Sequence, residues 1–121
     1  MKKLFFLLIF LFILPAAMYP QTKTSPDSAE NYIGSQVTVI GVVNQVHLTK
    51  TGNYFLNMGG DFPDNTFTAV IFSSDTSKFS DIKSFEGKAV SVTGTVQNYN
   101  DKPEIVINNK DQIKLARLKP E

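Results

Sequence analysis

The 121-residue sequence contains no cysteine and has a single histidine, His47. Without cysteine the chain can form neither a disulfide framework nor a thiolate metal site. One histidine is too few for the usual zinc site, and no serine stands in a nucleophile-elbow motif. The acidic residues do not show the spacing of an EF-hand loop. We therefore expect a protein that is not an enzyme and that uses no metal and no cofactor.

The chain also lacks an excess of charge of either sign, with 12 basic and 11 acidic residues. Without the N-terminal segment that holds Lys2 and Lys3, 10 basic residues remain against 11 acidic ones, a net charge of −1. Dedicated nucleic-acid-binding domains are usually strongly basic, because phosphate contacts dominate their affinity. The near-neutral balance weighs against binding led by a nucleic-acid backbone.

The longest apolar run, residues 4–14, is 11 residues long. A membrane-spanning helix needs roughly 17–25 residues, so this run is too short to span a bilayer. Lys2 and Lys3 precede it, and Pro15 and small residues follow, which is the layout of a secretory signal peptide. We therefore expect residues 1–20 to be a signal peptide and the mature protein to be exported, periplasmic or extracellular, without stable membrane insertion. Retention of the segment as an anchor is the alternative.

The next segment, residues 21–31, is polar and aperiodic and contains Pro26, which predicts a flexible leader. The folded domain is expected over residues 32–118. Runs of β-branched and aromatic residues bounded by turn residues predict five strands in it. The predicted strands cover residues 35–48, 53–58, 66–72, 88–97 and 103–108.

Glycines mark two special positions in these strands. A change of side-chain parity at Gly41 predicts a β-bulge in the first strand. In the fourth strand, Val90, Val92 and Val96 are predicted to face inward, and Gly94 stands where a further side chain would crowd the interior.

Between the third and fourth strands the hydrophobic period changes. Phe79, Ile82 and Phe85 recur at intervals of three, which is typical of one apolar stripe on a helix. The pattern predicts one short helix near residues 76–85, with Asp75 as its N-cap.

Five strands with a helix after the third suit a small Greek-key barrel. A β-sandwich would need about seven strands. Residues 53–72 and 85–113 resemble exported single-domain proteins of bacteria with the oligonucleotide/oligosaccharide-binding (OB) fold, which are grouped with nucleic-acid-binding, tRNA anticodon-binding-like OB domains. The expected fold is all-β with one short helix, a five-stranded Greek-key OB-fold barrel whose helix lies between strands 3 and 4.

The resemblance implies a binding module and carries no catalytic residue. It implies single-stranded nucleic acid as the partner, bound on the face of the second and third strands between flanking turns. OB domains also bind sugars and proteins on the same scaffold, so a protein or a glycan of the envelope stays open as the alternative.

The second strand presents two faces. Its even-numbered residues, beginning with Tyr54, are all apolar, whereas its odd-numbered residues place Phe55 between two asparagines. If the even set is core, the ring of Phe55 lies on the outer face, where it can stack on a base or a sugar. The reverse register buries Phe55 and exposes Tyr54. The candidate ligand-binding residues are Phe55, Asn53 and Asn57, joined by Tyr99, Lys102 and Lys50 from the flanking turns.

Overall fold

A computed structural model of the chain describes residues 22–117, so the predicted signal peptide lies outside the described residues. In this part there are four short 3₁₀ segments, Ala29–Tyr32, Ser73–Lys78, Ile82–Phe85 and Lys110–Gln112. The strands are β1 (Lys23–Thr24), β2 (Gln36–Leu48), β3 (Tyr54–Met58), β4 (Phe67–Ile71), β5 (Ala89–Thr95), β6 (Gln97–Tyr99), β7 (Lys102–Val106) and β8 (Ile113–Leu115). No helix among the described residues has the length and apolar character needed to cross a bilayer.

The strands form one sheet in the order β6-β7-β4-β3-β2-β5-β8, with β1 paired to β2. The long β2 serves both halves of the barrel, because its first half pairs with β5 and its second half with β3. β4 and β7 pair in parallel. A single residue, Val96, separates β5 from β6, and β6 pairs with β7. No backbone ladder in residues 22–117 joins β5 directly to β7. The five predicted strands correspond to β2, β3, β4, β5 and β7, and the predicted all-β OB fold is confirmed. The described sheet differs from the predicted five-stranded barrel in having eight strands and in not being closed by a backbone ladder.

The inner face of β5 follows the predicted alternation. Val90 and Val92 are completely buried and Val96 is 1% exposed. Gly94 continues this strand where a Cβ atom would lie 2.6 Å from Cγ2 of Ile105 in β7. Glycine therefore allows β5 to approach β7 closely without a ladder between them.

The parity change in β2 occurs at Asn44, and the prediction that placed it at Gly41 is wrong. The alternation of buried residues continues past Gly41 to Val43, and the register with β3 shifts between Val43 and Gln45. Gly41 is small for another reason, since a Cβ atom there would lie 2.6 Å from Cγ of Pro26. The glycine makes room for the segment that precedes β2.

That segment includes most of the leader that composition predicts to be flexible, residues 21–31. From Thr22 onward it lies against the barrel, with β1 in parallel pairing on β2 and Ala29 completely buried. The hydroxyl of Thr66 donates to the Asp27 carboxylate at 2.7 Å. Backbone groups and one small side chain make most of these contacts, so hydrophobic periodicity could not predict them.

The single helix predicted near residues 76–85 is replaced by the two 3₁₀ segments Ser73–Lys78 and Ile82–Phe85, with Phe79 extended between them. The predicted apolar side chains still pack against the core, and Ile82 is buried. Serine and aspartate dominate this stretch, and their side chains compete with helical bonding. Two hydroxyls donate to carbonyl groups three residues earlier in this way.

Candidate functional site

On β3, Phe55 lies on the outer face of the sheet. Leu56 and Met58 are completely buried, and Tyr54 packs against the core from the same side of the strand. The ring of Phe55 is partly exposed, and its centroid lies 6.4 Å from that of His47 on β2. The structure therefore resolves the register that the sequence leaves open, in favour of an outward Phe55.

Two rows of side chains cross this outer face, because residues paired in neighbouring strands share a face. The apolar row consists of Phe55, Val70 and Val106. The polar row beside it consists of Gln45, Asn57, Thr68 and Glu104. The parallel pairing of β4 with β7 brings Glu104 and Val106 onto the same face as Phe55.

A groove of about 1090 Å³ opens over the apolar row. Residues of β5, β6 and the segment after β7 form its other sides, and the side chain of Tyr99, 61% exposed, lines it. Two carboxylates, those of Glu104 and Asp111, belong to the lining, which contains no lysine or arginine from the described residues. The described lining of the groove thus contains aromatic rings and amides, and its charged groups are all acidic.

Glu104 is half-buried in this groove. Its partners in the ladders are Thr68 on β4 and Gln97 on β6, neither of which is cationic. Within residues 22–117 no group donates a hydrogen bond to its carboxylate. Burial raises the pKa of the Glu104 carboxyl above its ordinary value, because loss of solvent disfavours the charged form. Residues 22–117 therefore provide no hydrogen bond or ion pair that compensates this charge.

Gln112 joins the two sides of the groove. Its Oε1 accepts from the backbone N–H groups of Asn108 at 2.8 Å and Asn109 at 3.2 Å. Its Nε2 donates to the carbonyl of Thr93 on β5 at 3.1 Å and to that of Val106 on β7 at 3.0 Å. The Gln112 amide lines the groove, but its hydrogen-bonding capacity is already used to connect β5 with β7.

Asn57, a predicted ligand contact, is 2% exposed and lies outside the groove. Its Nδ2 donates to Gln45 Oε1 at 3.0 Å. Its Oδ1 accepts from Thr68 Oγ1 at 3.1 Å and from Asn65 Nδ2 at 3.3 Å. Asn65, on the loop between β3 and β4, is itself 3% exposed. Asn57 therefore belongs to a buried polar network, and a strand alternation alone cannot distinguish it from an exposed amide.

Lys102, another predicted contact, points toward the same loop. Its ammonium group donates to the carbonyl of Pro63 and, at 3.1 Å, to Asn65 Oδ1. It also lies 5.6 Å from the ring centroid of Phe62. The charge of Lys102 is thus engaged by the loop, and the residue does not line the groove.

The groove brings together three of the six predicted residues, Phe55, Asn53 and Tyr99. Asn53, which directly precedes β3, also binds the segment after β4, since its Oδ1 accepts from the backbone N–H of Ser73 at 2.9 Å. Lys50 is exposed in the turn after β2 and does not line the groove. In the described part of the chain no group of three or more acidic or histidine side chains could hold a metal ion.

Sequence reasoning gave Glu104 no part in binding. The alternation of Pro103, Glu104 and Ile105 could have placed its side chain on the outer face. The parallel neighbour that brings it beside Phe55 cannot be read from local pattern.

Comparison with known proteins supports the fold. No protein-family model matches the chain, and no curated protein matches it. Aspartyl tRNA synthetase from Entamoeba histolytica is similar in structure, with a TM-score of 0.52 and 17% identity over 88% of this chain and 24% of the synthetase chain. OBody AM1L10, solved bound to hen egg-white lysozyme, has a TM-score of 0.54 and 14% identity over 84% of this chain and 99% of the OBody.

The related OBody AM2EP06, also solved bound to hen egg-white lysozyme, has a TM-score of 0.53 and 17% identity over 81% of this chain and 95% of its own. This chain therefore spans about a quarter of the synthetase and nearly the whole of each OBody. At these identities the similarity establishes a common fold.

Proposed function

We propose that this protein is a non-catalytic binding module that holds its ligand in the groove over the apolar row. The proposal rests on the position of Phe55: its ring lies on the outer face of β3 and lines the same groove as Tyr99. Aromatic rings fixed on a sheet form a stacking surface for a planar base or the apolar face of a sugar. This strand face is also where OB barrels bind their ligands.

The chemistry of the lining favours a glycan as the ligand. Glu104 and Asp111 would repel the phosphates of a nucleic acid, and the described lining has no lysine or arginine to neutralise them. Sugar hydroxyls, in contrast, donate to carboxylates and exchange hydrogen bonds with amides such as those of Gln97 and Asn108. The net charge of −1 without residues 1–20 agrees with a ligand that is not a polyanion.

Single-stranded nucleic acid is the second candidate, and it is the ligand that the sequence resemblance implies. The similarity in fold to a tRNA synthetase supports it, and nucleobases stack on exposed aromatic rings. In this groove such binding would be led by the bases, with the phosphates held away from Glu104. A protein partner is a further outcome of a screen, since two similar structures are OBodies bound to lysozyme.

We also propose that the chain is exported, on the signal-peptide pattern of residues 1–20. A periplasmic or extracellular address would give the groove access to envelope glycans. Mass spectrometry of the protein from its host should find a mature N-terminus between Met18 and Thr22. An intact Met1 in the membrane fraction would instead indicate a retained anchor.

The decisive experiment titrates the purified protein with chitohexaose, cellohexaose, oligo(dC) and oligo(dT) over a range of salt. Binding of an oligosaccharide should change little between about 50 and 200 mM salt, whereas backbone-led binding of nucleic acid falls steeply over that range. Binding of an oligonucleotide alone, with a steep salt dependence, would overturn the glycan assignment. A groove that binds none of these probes, with unchanged chemical shifts of Phe55, would overturn the proposed site for these ligands.

A further inference from the structure

Among the half-buried polar side chains that line the groove in residues 22–117, Glu104 stands out because its hydrogen-bonding capacity is unused. Asn53 accepts from Ser73, and Gln112 makes four hydrogen bonds to backbone groups. The side chain of Asn109 accepts from the backbone N–H of Asp111 at 2.9 Å. The Glu104 carboxylate has no such partner in residues 22–117, although it is half-buried.

The position of Glu104 in the sheet also suits a ligand contact. It projects from β7, the second strand from one edge of the sheet, so its backbone is fixed by ladders on both sides, to β4 and to β6. It is separated from Phe55 across the face by the Thr68 and Val70 positions of β4. An oligosaccharide with one ring stacked on Phe55 would therefore extend across Val70 to bring a further ring to the carboxylate.

We propose that Glu104 is the specificity-determining contact of the groove, where its two carboxylate oxygens accept hydrogen bonds from neighbouring hydroxyl groups of an oligosaccharide that has another of its rings stacked on Phe55. This inference rests on the proposed function and extends it from the groove to one group of the ligand. Hydrogen bonds to an ionised acceptor are shorter and stronger than neutral ones. A ligand without donors at this point leaves a desolvated carboxylate unpaired, and a phosphate adds repulsion, so both are rejected.

The test compares Glu104→Gln with Glu30→Gln, which makes the same chemical change at an exposed residue of the first 3₁₀ segment, outside the groove. Affinity for chitohexaose and cellohexaose is measured by calorimetry. Glu104→Gln should lower the affinity for whichever oligosaccharide binds by about tenfold or more, because a charge-assisted hydrogen bond is replaced by a neutral one. Glu30→Gln should bind as the unaltered protein does. A melting curve establishes that both variants are folded.

An effect of Glu104→Gln in the opposite direction, on nucleic acid, would overturn the inference. If Glu104 only repels phosphate at the edge of a nucleic-acid site, Glu104→Gln should strengthen binding of oligo(dC) and leave the oligosaccharides unbound. Phe55→Ala separates this failure from that of the proposed function. If Phe55→Ala loses oligosaccharide binding while Glu104→Gln binds as tightly as the unaltered protein, the role of Glu104 is refuted and the groove remains the binding site. Full binding in both variants would refute both.

Discussion

Two regions of the same sheet face use their polar side chains in opposite ways. At the loop end, Asn57, Asn65, Thr68 and Gln45 hydrogen-bond one another, and Lys102 adds its charge to the network. In the groove, Glu104 belongs to the same polar row but has no partner among the described residues. The comparison teaches that an outward polar residue on a strand is a candidate ligand contact only when the fold has not used its donors and acceptors.

The largest effect is expected in the satisfied region. Asn65 donates to Asn57 Oδ1, the Phe67 carbonyl and Thr68 Oγ1, and accepts from Lys102. Asn65→Ala removes these four hydrogen bonds from a buried network and should lower the free energy of unfolding by about 2–4 kcal/mol in urea denaturation. Asn98→Ala, at an exposed position of β6, should stay within about 0.5 kcal/mol of the unaltered protein. Equal stability of the two variants would contradict the division between the regions.

Phe55→Ala should affect binding more than folding. Loss of a stacked ring should reduce ligand affinity about 5- to 150-fold, whereas the half-exposed ring contributes only about 1 kcal/mol to folding. The neighbouring Leu56→Ala, which empties a fully buried site, should cost about 2–5 kcal/mol of stability. Thermal melting and one titration distinguish these results. If Phe55→Ala were as destabilised as Leu56→Ala, the ring would belong to the core.

Lys102→Met tests whether this lysine holds the loop or binds the ligand. The substitution keeps the aliphatic stem but removes two hydrogen bonds and a cation–π contact, so stability should fall by about 1–2 kcal/mol. Lys50→Met, in the exposed turn, should change stability by less than about 0.5 kcal/mol. The salt dependence of oligonucleotide binding, if present, should be unaltered by Lys102→Met. A reduced salt slope with unchanged stability would instead make Lys102 a phosphate contact.

The smallest effect concerns the pH dependence of stability at Glu104. Since burial raises the pKa of its carboxyl above 4.5, the unfolded chain releases this proton at lower pH than the folded one. Glu104 therefore lowers stability as pH rises through this range. Glu104→Gln removes that loss, so it should melt slightly higher than the unaltered protein at pH 7 and equally at pH values below the ordinary glutamate pKa. A lower melting temperature at pH 7 would mean that the charged carboxylate has a stabilising partner.

Much of the fold could be predicted because the inner faces of the main strands carry clear alternation. Val90, Val92 and Val96 are buried as predicted, and Gly94 lies at the predicted close approach. Features that depend on backbone pairing were missed or misplaced: β1 was not predicted, and the irregularity of β2 was predicted at Gly41 but lies at Asn44. The helical period of residues 79–85 correctly placed apolar side chains against the core, but local side-chain hydrogen bonds broke the helix into 3₁₀ turns.

The site was less predictable than the fold. The outward position of Phe55 follows from the apolar partners that alternate with it, and the structure places it there. Asn57 and Lys102 have the residue types of ligand contacts, but the loop that connects β3 to β4 engages both of them. Glu104 reaches the groove through the parallel pairing of strands far apart in sequence. Such long-range neighbours leave no local pattern.

The bridge made by Gln112 determines how the groove can deform. Its two walls, β5 and β7, are joined near this point by the two bonds from one amide nitrogen, at Thr93 and Val106, and not by a backbone ladder. Widening the groove here therefore breaks these two side-chain hydrogen bonds and no backbone ladder of residues 22–117, while β6, which continues from β5, stays paired with β7. The range of ligand widths that the groove accommodates at this point therefore depends on the side chain of Gln112.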